Sequence, residues 1–176
     1  REALSAYKES SAWIKFGTIV AIEDGLPVLY DGLYYALDKS TSTAEVFMNP
    51  EKEGVVNIKQ NIYVDDTKFT VTSIVDEAFK DNTNITSVYI PNSVTSIGVH
   101  AFYGCTGLTE IVIPNSVSKL GDGAFRGCTN LVKVDLPESL TEMDGFCFYK
   151  SGYGGGKSFQ SVICRTTSLI DFNYCF

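Results

Sequence analysis

The stretch from Ser151 to Ser158 reads S-G-Y-G-G-G-K-S and has the residue types of a phosphate-binding loop. Such a loop needs a glycine, four further residues and then Gly-Lys followed by Ser or Thr, between a strand and a helix. Here Ser151 stands at the first position, and Lys157 and Ser158 lead directly into a predicted strand. The sequence therefore favours a surface loop over a nucleotide site, and no cofactor is predicted.

Metal and nucleophile chemistry has few candidate residues in this chain. His100 is the only histidine and no C-x-x-C spacing is present, whereas a structural zinc site takes four histidine or cysteine ligands. A serine or cysteine nucleophile also needs a base such as histidine beside it. Acidic pairs occur without the spacing of a calcium loop: Glu51/Glu53, Asp65/Asp66 and Asp76/Glu77. We therefore predict no catalytic residue, no metal site and no enzymatic activity.

A sequence block repeats through most of the chain and determines where these candidate residues lie. Three Ala-Phe pairs and one Cys-Phe pair follow one another at intervals of 23 residues: Ala78-Phe79, Ala101-Phe102, Ala124-Phe125 and Cys147-Phe148. The copy from Ala101 to Gly123 reads A-F-Y-G-C-T-G-L-T-E-I-V-I-P-N-S-V-S-K-L-G-D-G. A fixed period of this length is typical of solenoids, in which neighbouring repeats bury their apolar sides against each other.

Stacking of the repeats predicts which side chains are buried. The phenylalanines should form one column, and four strands should align as a parallel sheet: Ile85–Ile90, Leu108–Ile113, Leu131–Leu136 and Phe159–Cys164. Cys105 and Cys128 share one repeat position and are predicted as buried free thiols. Cys147, Cys164 and Cys175 lie in the irregular last coil, where the sequence leaves a disulfide open.

The chain ahead of the repeats has a different pattern. Residues 1–26 are predicted to contain short helices within Glu2 to Phe16 and a brief strand. Residues 27–77 change to short β-like runs separated by polar turns, including a hairpin turn at Asp65-Asp66. We expect a β-meander cap there, laid with its apolar face over the first coil, and a solenoid of about four coils in residues 78–176.

Alternate residues of each predicted strand point away from the core, so their side chains stack into an extended surface. Solenoids present such surfaces to partners. Tyr89 is a rigid aromatic of the kind that anchors interfaces. The candidate binding residues are Ser87, Tyr89, Glu110, Val112, Lys133, Asp135, Ser161 and Ile163. A face that meets only water is the alternative left open.

The pattern A-F-x-x-C-x-x-L-x-x-I-x-I-P-x-S-V-x-x-I closely resembles the BspA-like leucine-rich repeat family, and Ala101 to Leu120 follows it throughout. The resemblance implies a right-handed leucine-rich-repeat solenoid of the α/β superhelix class, β-rich with short helical turns. It also implies a bacterial surface or secreted protein that binds host or matrix proteins. Tyr7, Trp13, Phe16 and Ile19 resemble the segment that closes such arrays, which implies that residues 1–26 end an upstream array.

Composition narrows the classes of partner. The net charge of -7 disfavours nucleic acid, because its binding depends on Lys and Arg displacing counterions. No run of 18 or more apolar residues occurs, so no membrane-spanning segment is predicted. With the resemblance, this predicts a non-enzymatic protein-binding or adhesion module, extracellular or on the cell surface. The alternative is a structural spacer in a long surface protein. An uncovered last coil would also favour self-association.

Overall fold

The computed structural model describes residues 27–152 and 161–166, and this part of the chain contains thirteen strands and no helix. The strands are β1 (Val28–Tyr30), β2 (Leu33–Asp38), β3 (Thr43–Val46), β4 (Gly54–Asn57), β5 (Asn61–Val64), β6 (Thr67–Ile74), β7 (Ile85–Tyr89), β8 (Ser96–Ile97), β9 (Glu110–Val112), β10 (Lys119–Leu120), β11 (Lys133–Leu136), β12 (Glu142–Met143) and β13 (Ser161–Cys164). The short helical turns implied by the resemblance are not found in the described residues, where the Ala-Phe segments form hydrogen-bonded turns. The helices predicted within Glu2 to Phe16 lie outside the described residues.

The strands are divided between two sheets. One sheet follows the order β1-β2-β3-β6-β8-β10-β12, with β5 paired to β6, and the other follows β13-β11-β9-β7-β4. Each coil gives one strand to each sheet, and equivalent residues of successive coils are parallel neighbours. Ser96, Lys119 and Glu142, for example, pair in sequence at the 23-residue interval of the repeat. The predicted parallel pairing of β7, β9, β11 and β13 is confirmed.

Two tight hairpins lie near the start of the described chain, one formed by β1 and β2 and the other by β5 and β6. Asp31 and Gly32 join β1 to β2 with φ angles of 49° and 76°. Asp65 and Asp66 join β5 to β6 with φ angles of 46° and 61°, so the hairpin turn predicted there is confirmed. Two consecutive left-handed residues give a turn whose twist matches that of the flanking strands.

The segment of residues 27–77 differs from the simple meander that the sequence predicted. β3 pairs in parallel with β6, and β4 pairs in parallel with β7, so the segment continues both sheets edge to edge. The register shifts between Ala44 and Glu45 and between Gly54 and Val55. Such irregularities let unlike strands fit a regular array. The apolar side chains of Val56 and Ile58 are buried against the coils by this pairing.

The predicted phenylalanine column is present. Phe79, Phe102, Phe125 and Phe148 have no exposed surface. Their ring centroids follow one another at 5.0, 5.1 and 5.2 Å, and adjacent ring planes are within 8° of parallel. These distances are close to the strand spacing of about 4.8 Å. The rings are parallel because identical residues of successive coils are translated by one strand.

A second buried column ties the coils together by hydrogen bonds. Each member donates to the main-chain carbonyl of a phenylalanine in the preceding coil: Cys105 Sγ to Phe79 (3.1 Å), Cys128 Sγ to Phe102 (3.1 Å) and Ser151 Oγ to Phe125 (2.5 Å). The prediction that Cys105 and Cys128 are buried free thiols is confirmed. Burial raises the pKa of the Cys105 thiol to about 12. The raised pKa keeps the thiol protonated, and the thiolate is the reactive form. These thiols therefore fill space in the core and donate hydrogen bonds to buried carbonyls.

The cysteines of the last coil occupy different environments. Cys147 is buried, and two carbonyls lie within hydrogen-bond reach of its single S–H, those of Asp144 (2.9 Å) and Gly121 (3.3 Å). Cys164 is an exposed free thiol on β13. Cys175 lies outside the described residues.

Candidate binding face

The eight residues predicted to point outward lie together on one side of the five-stranded sheet. We call this set the outward face. Ser87, Glu110, Lys133 and Ser161 form one row of successive strand partners, and Tyr89, Val112, Asp135 and Ile163 form the next row. The residues between them, Val88, Ile111 and Val134, are buried. The alternation of a strand thus separates a packed side from a side that is open to solvent.

The sheet extends both rows by one strand that the repeat pattern did not identify. Val55 of β4 pairs with Ser87, and Asn57 pairs with Tyr89. The apolar run around Val56 predicted a strand here, but the register shift after Gly54 breaks the relation to the repeat. Only the observed pairing assigns Val55 and Asn57 to this side.

The second row carries exposed apolar side chains in three coils. Tyr89 is 61% exposed, Val112 is 55% exposed and Ile163 is 37% exposed. Single exposed apolar residues are common on protein surfaces. Here three of them share one row, with Tyr89 and Val112 adjacent and Ile163 beyond Asp135. Such a group marks a surface that gains free energy when a partner covers it.

The charged side chains near the outward face are paired. Glu110 and Lys133 are 3.8 Å apart between Oε2 and Nζ. Arg165 donates two hydrogen bonds to Asp135, from Nε at 2.8 Å and from Nη2 at 3.0 Å. These hydrogen bonds hold the pKa of Asp135 below its usual value. Exposed pairs of this kind contribute little stability. Their effect is to leave the surface locally neutral and its side chains ordered.

A groove of about 850 Å³ runs beside the second row. Tyr89, Val112 and Arg165 line this groove. Asn92 and Asn115 also line it, from the turns that follow β7 and β9, next to the prolines that end these strands. The volume is within the range of ligand pockets in proteins. Sequence reasoning missed Arg165, because only its contact with Asp135 reveals its place.

The residues considered for metal or nucleotide chemistry do not converge. His100 lies in a turn with a φ of 53°, and its Nε2 is 4.0 Å from a carboxylate oxygen of Asp122. Within residues 27–152 and 161–166, no three His, Cys, Asp or Glu side chains are grouped so that they could hold a metal ion. Ser151 and Gly152 form a turn, and the rest of the glycine-rich stretch lies outside the described residues. In the same described ranges, no helix has the length and apolar character needed to cross a bilayer.

The comparison with protein families gives one match. Residues 54–163 match the model described as the BspA type leucine rich repeat region, in six copies. The match begins upstream of residue 78, where the sequence pattern placed the start of the array. None of the curated proteins matches the chain.

Solved structures of bacterial leucine-rich repeat proteins are similar to this fold. The leucine-rich repeat protein from Bacteroides capillosus has a TM-score of 0.61 and 24% identity, over 69% of this chain and 88% of its own. A leucine rich cell surface protein from Faecalibacterium prausnitzii has a TM-score of 0.59 and 24% identity, over 84% of this chain and 45% of its own. The T. pallidum leucine rich repeat protein has a TM-score of 0.51 and 26% identity, over 69% of this chain and 65% of its own. The fold is therefore the strand-rich leucine-rich repeat fold, and the chain spans less than half of the second protein.

Proposed function

The chain belongs to the BspA-type leucine-rich repeat family, and we propose that it is a non-enzymatic module that binds a protein partner through the outward face. The observation that carries this proposal is the row of exposed apolar side chains, Tyr89, Val112 and Ile163, beside a groove of about 850 Å³. The proposed partner is a host matrix or surface protein. The proposed location is the bacterial cell surface or the extracellular space, in keeping with the relative that is named a cell surface protein.

The physical properties of the outward face suit this role. Its side chains stand on hydrogen-bonded strands, so ordering them on binding costs less entropy than ordering a loop. Tyr89 offers a large ring with few rotatable bonds, which is typical of residues that dominate binding energy. Glu110 and Asp135 already have cationic neighbours. A partner therefore does not have to compensate isolated charges when it removes water from the face.

The proposed architecture is a right-handed solenoid, with residues 27–77 as its N-terminal cap, residues 78–176 as the array and residues 1–26 as the closing segment of an upstream array. The strand β13 pairs with β11 on one side. We propose that a second copy of the chain associates through this last coil. Light scattering over a wide range of protein concentration tests the idea: the mass should rise with concentration, and a constant monomer mass would contradict it.

Binding to immobilised, purified matrix proteins tests the proposed function. A triple variant with Tyr89→Ala, Glu110→Ala and Lys133→Ala should lose at least about tenfold in affinity for a matrix protein that the wild type retains. Tyr63→Ala is the matched control, because Tyr63 is also an exposed tyrosine (57%) but lies on β5, away from the outward face. Equal retention of wild type and triple variant would remove the face from the interface.

The alternative function is a structural spacer with no ligand of its own. The pairing of Glu110 with Lys133 and of Asp135 with Arg165 favours it, because a face that satisfies its own charges is also stable in water. A spacer should retain none of the purified matrix proteins. Retention that depends on Tyr89 and not on Tyr63 would exclude the spacer.

A further inference from the structure

A second surface lies at the turns that lead from β8, β10 and β12 back to the five-stranded sheet. We call it the turn ridge, and it consists of His100, Tyr103, Arg126, Phe146, Tyr149 and Lys150. Its centre is Arg126, whose Cζ lies 5.8 Å from the ring centroid of Tyr103, 5.5 Å from that of Phe146 and 5.4 Å from that of Tyr149. The groove beside the outward face lies at the turns that lead from β7 and β9 to the other sheet, so the two surfaces are separate.

The repeat itself builds this cluster. Tyr103, Arg126 and Tyr149 occupy one repeat position in three successive coils, so the guanidinium lies between two tyrosines. Gly123 stands where neighbouring coils have His100 and Phe146, and all three have left-handed φ angles, of 57°, 53° and 57°. A Cβ at Gly123 would lie 2.6 Å from Cδ2 of His100. The missing side chain therefore leaves the space in which the imidazole packs.

The two cations of the turn ridge, Arg126 and Lys150, differ from five cations elsewhere in the described chain that are paired with carboxylates. Lys80, Lys119 and Lys133 each pair with a carboxylate, as do Lys59 and Arg165. Within the described residues, neither Arg126 nor Lys150 has a carboxylate at ion-pair distance or an acceptor for a side-chain hydrogen bond.

Both cations also lie over the same ring. The distance to the Tyr149 centroid is 5.4 Å for Arg126 Cζ and 5.5 Å for Lys150 Nζ. Aromatic faces attract cations, and this attraction holds both side chains in place. Two like charges beside one ring repel each other, and an anion that binds close to them relieves that repulsion. In a chain with a net charge of -7, this is a local positive site with which no acid of the described residues forms an ion pair.

We propose that the turn ridge binds a carboxylate carried next to an apolar side chain, within an acidic peptide segment of a partner protein. The planar guanidinium matches a carboxylate through two parallel hydrogen bonds. The three rings around Arg126 restrict its side chain in advance, which lowers the entropy cost of binding. The side chain of Phe146, 37% exposed, supplies the apolar contact beside the charge.

The acids that border the turn ridge favour a single carboxylate over a long polyanion. Asp122 approaches His100 to 4.0 Å on one side. Asp81 lies against Gly104, next to Tyr103, on another. A chain of sulfates or phosphates that extended beyond the two cations would meet these carboxylates and be repelled. A peptide with one acidic side chain between apolar ones avoids them.

The test is a titration of the full chain with a peptide, monitored through the NMR signal of the Arg126 Nε–H group. The probe is a capped five-residue peptide in which leucine alternates with glutamate, and its control has glutamine in place of glutamate. The glutamate peptide should shift the Arg126 signal in a saturable way, and the glutamine peptide should not. Absence of a shift, or equal shifts with both peptides, would overturn the proposal.

Three variants and one competitor decide what the turn ridge recognises. Arg126→Gln should lower the affinity for the glutamate peptide by about tenfold or more. Lys150→Gln, at an exposed position, should lower it by about threefold. Lys133→Gln on the outward face should leave the affinity unchanged. Amide NMR spectra report whether each variant is folded. If Arg126→Gln does not fold, the loss of affinity in Lys150→Gln tests the proposal in its place. A heparin-derived tetrasaccharide that bound more tightly than the peptide would overturn the choice of partner.

Discussion

At the buried end of every coil the same side chain recurs, in Phe79, Phe102, Phe125 and Phe148, whereas on the outward face the second row changes from Tyr89 to Val112 to Asp135 to Ile163. Both regions repeat at 23 residues from coil to coil, except at the last step of the outward face, from Asp135 to Ile163, where the interval is longer. Inside, a different side chain would break the stack, because each ring contacts an identical ring about one strand away. Outside, no stack of identical side chains constrains the residue. The differences along the outward rows are therefore where recognition can be encoded.

The largest effect expected from this comparison is the loss of a column ring. Phe125→Ala removes a fully buried ring that stacks on Phe102 at 5.1 Å and on Phe148 at 5.2 Å. We expect the free energy of unfolding to fall by about 3 to 5 kcal/mol, from lost burial and from the cavity left behind. The shift of the urea midpoint measures it. A midpoint that barely moved would place Phe125 outside the cooperative core.

A smaller effect is expected where the backbones of adjacent coils approach closely. A Cβ at Gly121 would lie 2.5 Å from the main-chain N of Val99 and 2.7 Å from the carbonyl carbon of Gly98, which are rigid backbone atoms. Gly121→Ala should therefore cost about 1 to 3 kcal/mol by forcing the coils apart. Gly145→Ala is the control, because its nearest contact would be Oδ1 of Asp122 at 3.5 Å. Equal midpoints for the two variants would contradict the close approach.

The buried thiols give a prediction for alkaline pH. Burial raises the pKa of Cys105 from an ordinary 9.0 to about 12, so the folded state holds this proton more tightly than the unfolded state. The resulting stabilisation is complete below about pH 9 and is lost as the pH rises towards 12, at up to about 1.4 kcal/mol per pH unit. Cys105→Ser removes this titration and keeps a hydroxyl donor of the kind that Ser151 supplies in its own coil.

The measurement is the unfolding free energy of wild type and Cys105→Ser at pH 8, 9 and 10. Burial also raises the pKa of Tyr35 to about 12, but Tyr35 is present in both proteins and cancels in the difference. The advantage of wild type over the variant should shrink from pH 9 to pH 10. A difference that stayed constant over that range would show that Cys105 does not titrate with unfolding.

Much of the interior could be predicted from the sequence because the repeat records it. The spacing of the Ala-Phe pairs predicted the column, the parallel strands and the burial of Cys105 and Cys128, and the structure contains all of these. The alternation of a strand also predicted the side on which Tyr89 and Val112 lie. These inferences depend on translation by one coil and on nothing else.

Features that break the translation were not predictable in this way. The cap was expected to cover the first coil, yet β4 pairs directly with β7 after a register shift at Gly54. Nothing in the repeat pattern indicated that Arg165 reaches back to Asp135, or that Arg126 lies among three rings. Both contacts depend on how long side chains cross from one coil to the next. A period identifies neighbours in the stack but not the rotamers that join them.

The smallest effect is expected on the outward face. Tyr89→Ala should change the free energy of unfolding by less than about 0.5 kcal/mol, since a ring that is 61% exposed gives up little burial. Tyr63→Ala, at 57% exposure on β5, should behave alike, so the pair compares a residue on the face with one away from it. A cost above about 1 kcal/mol at Tyr89 alone would mean that the ring packs on its neighbours and stabilises the sheet. A negligible cost at both positions would show that Tyr89 does not stabilise the fold. Any loss of binding in Tyr89→Ala would then come from a lost contact with the partner.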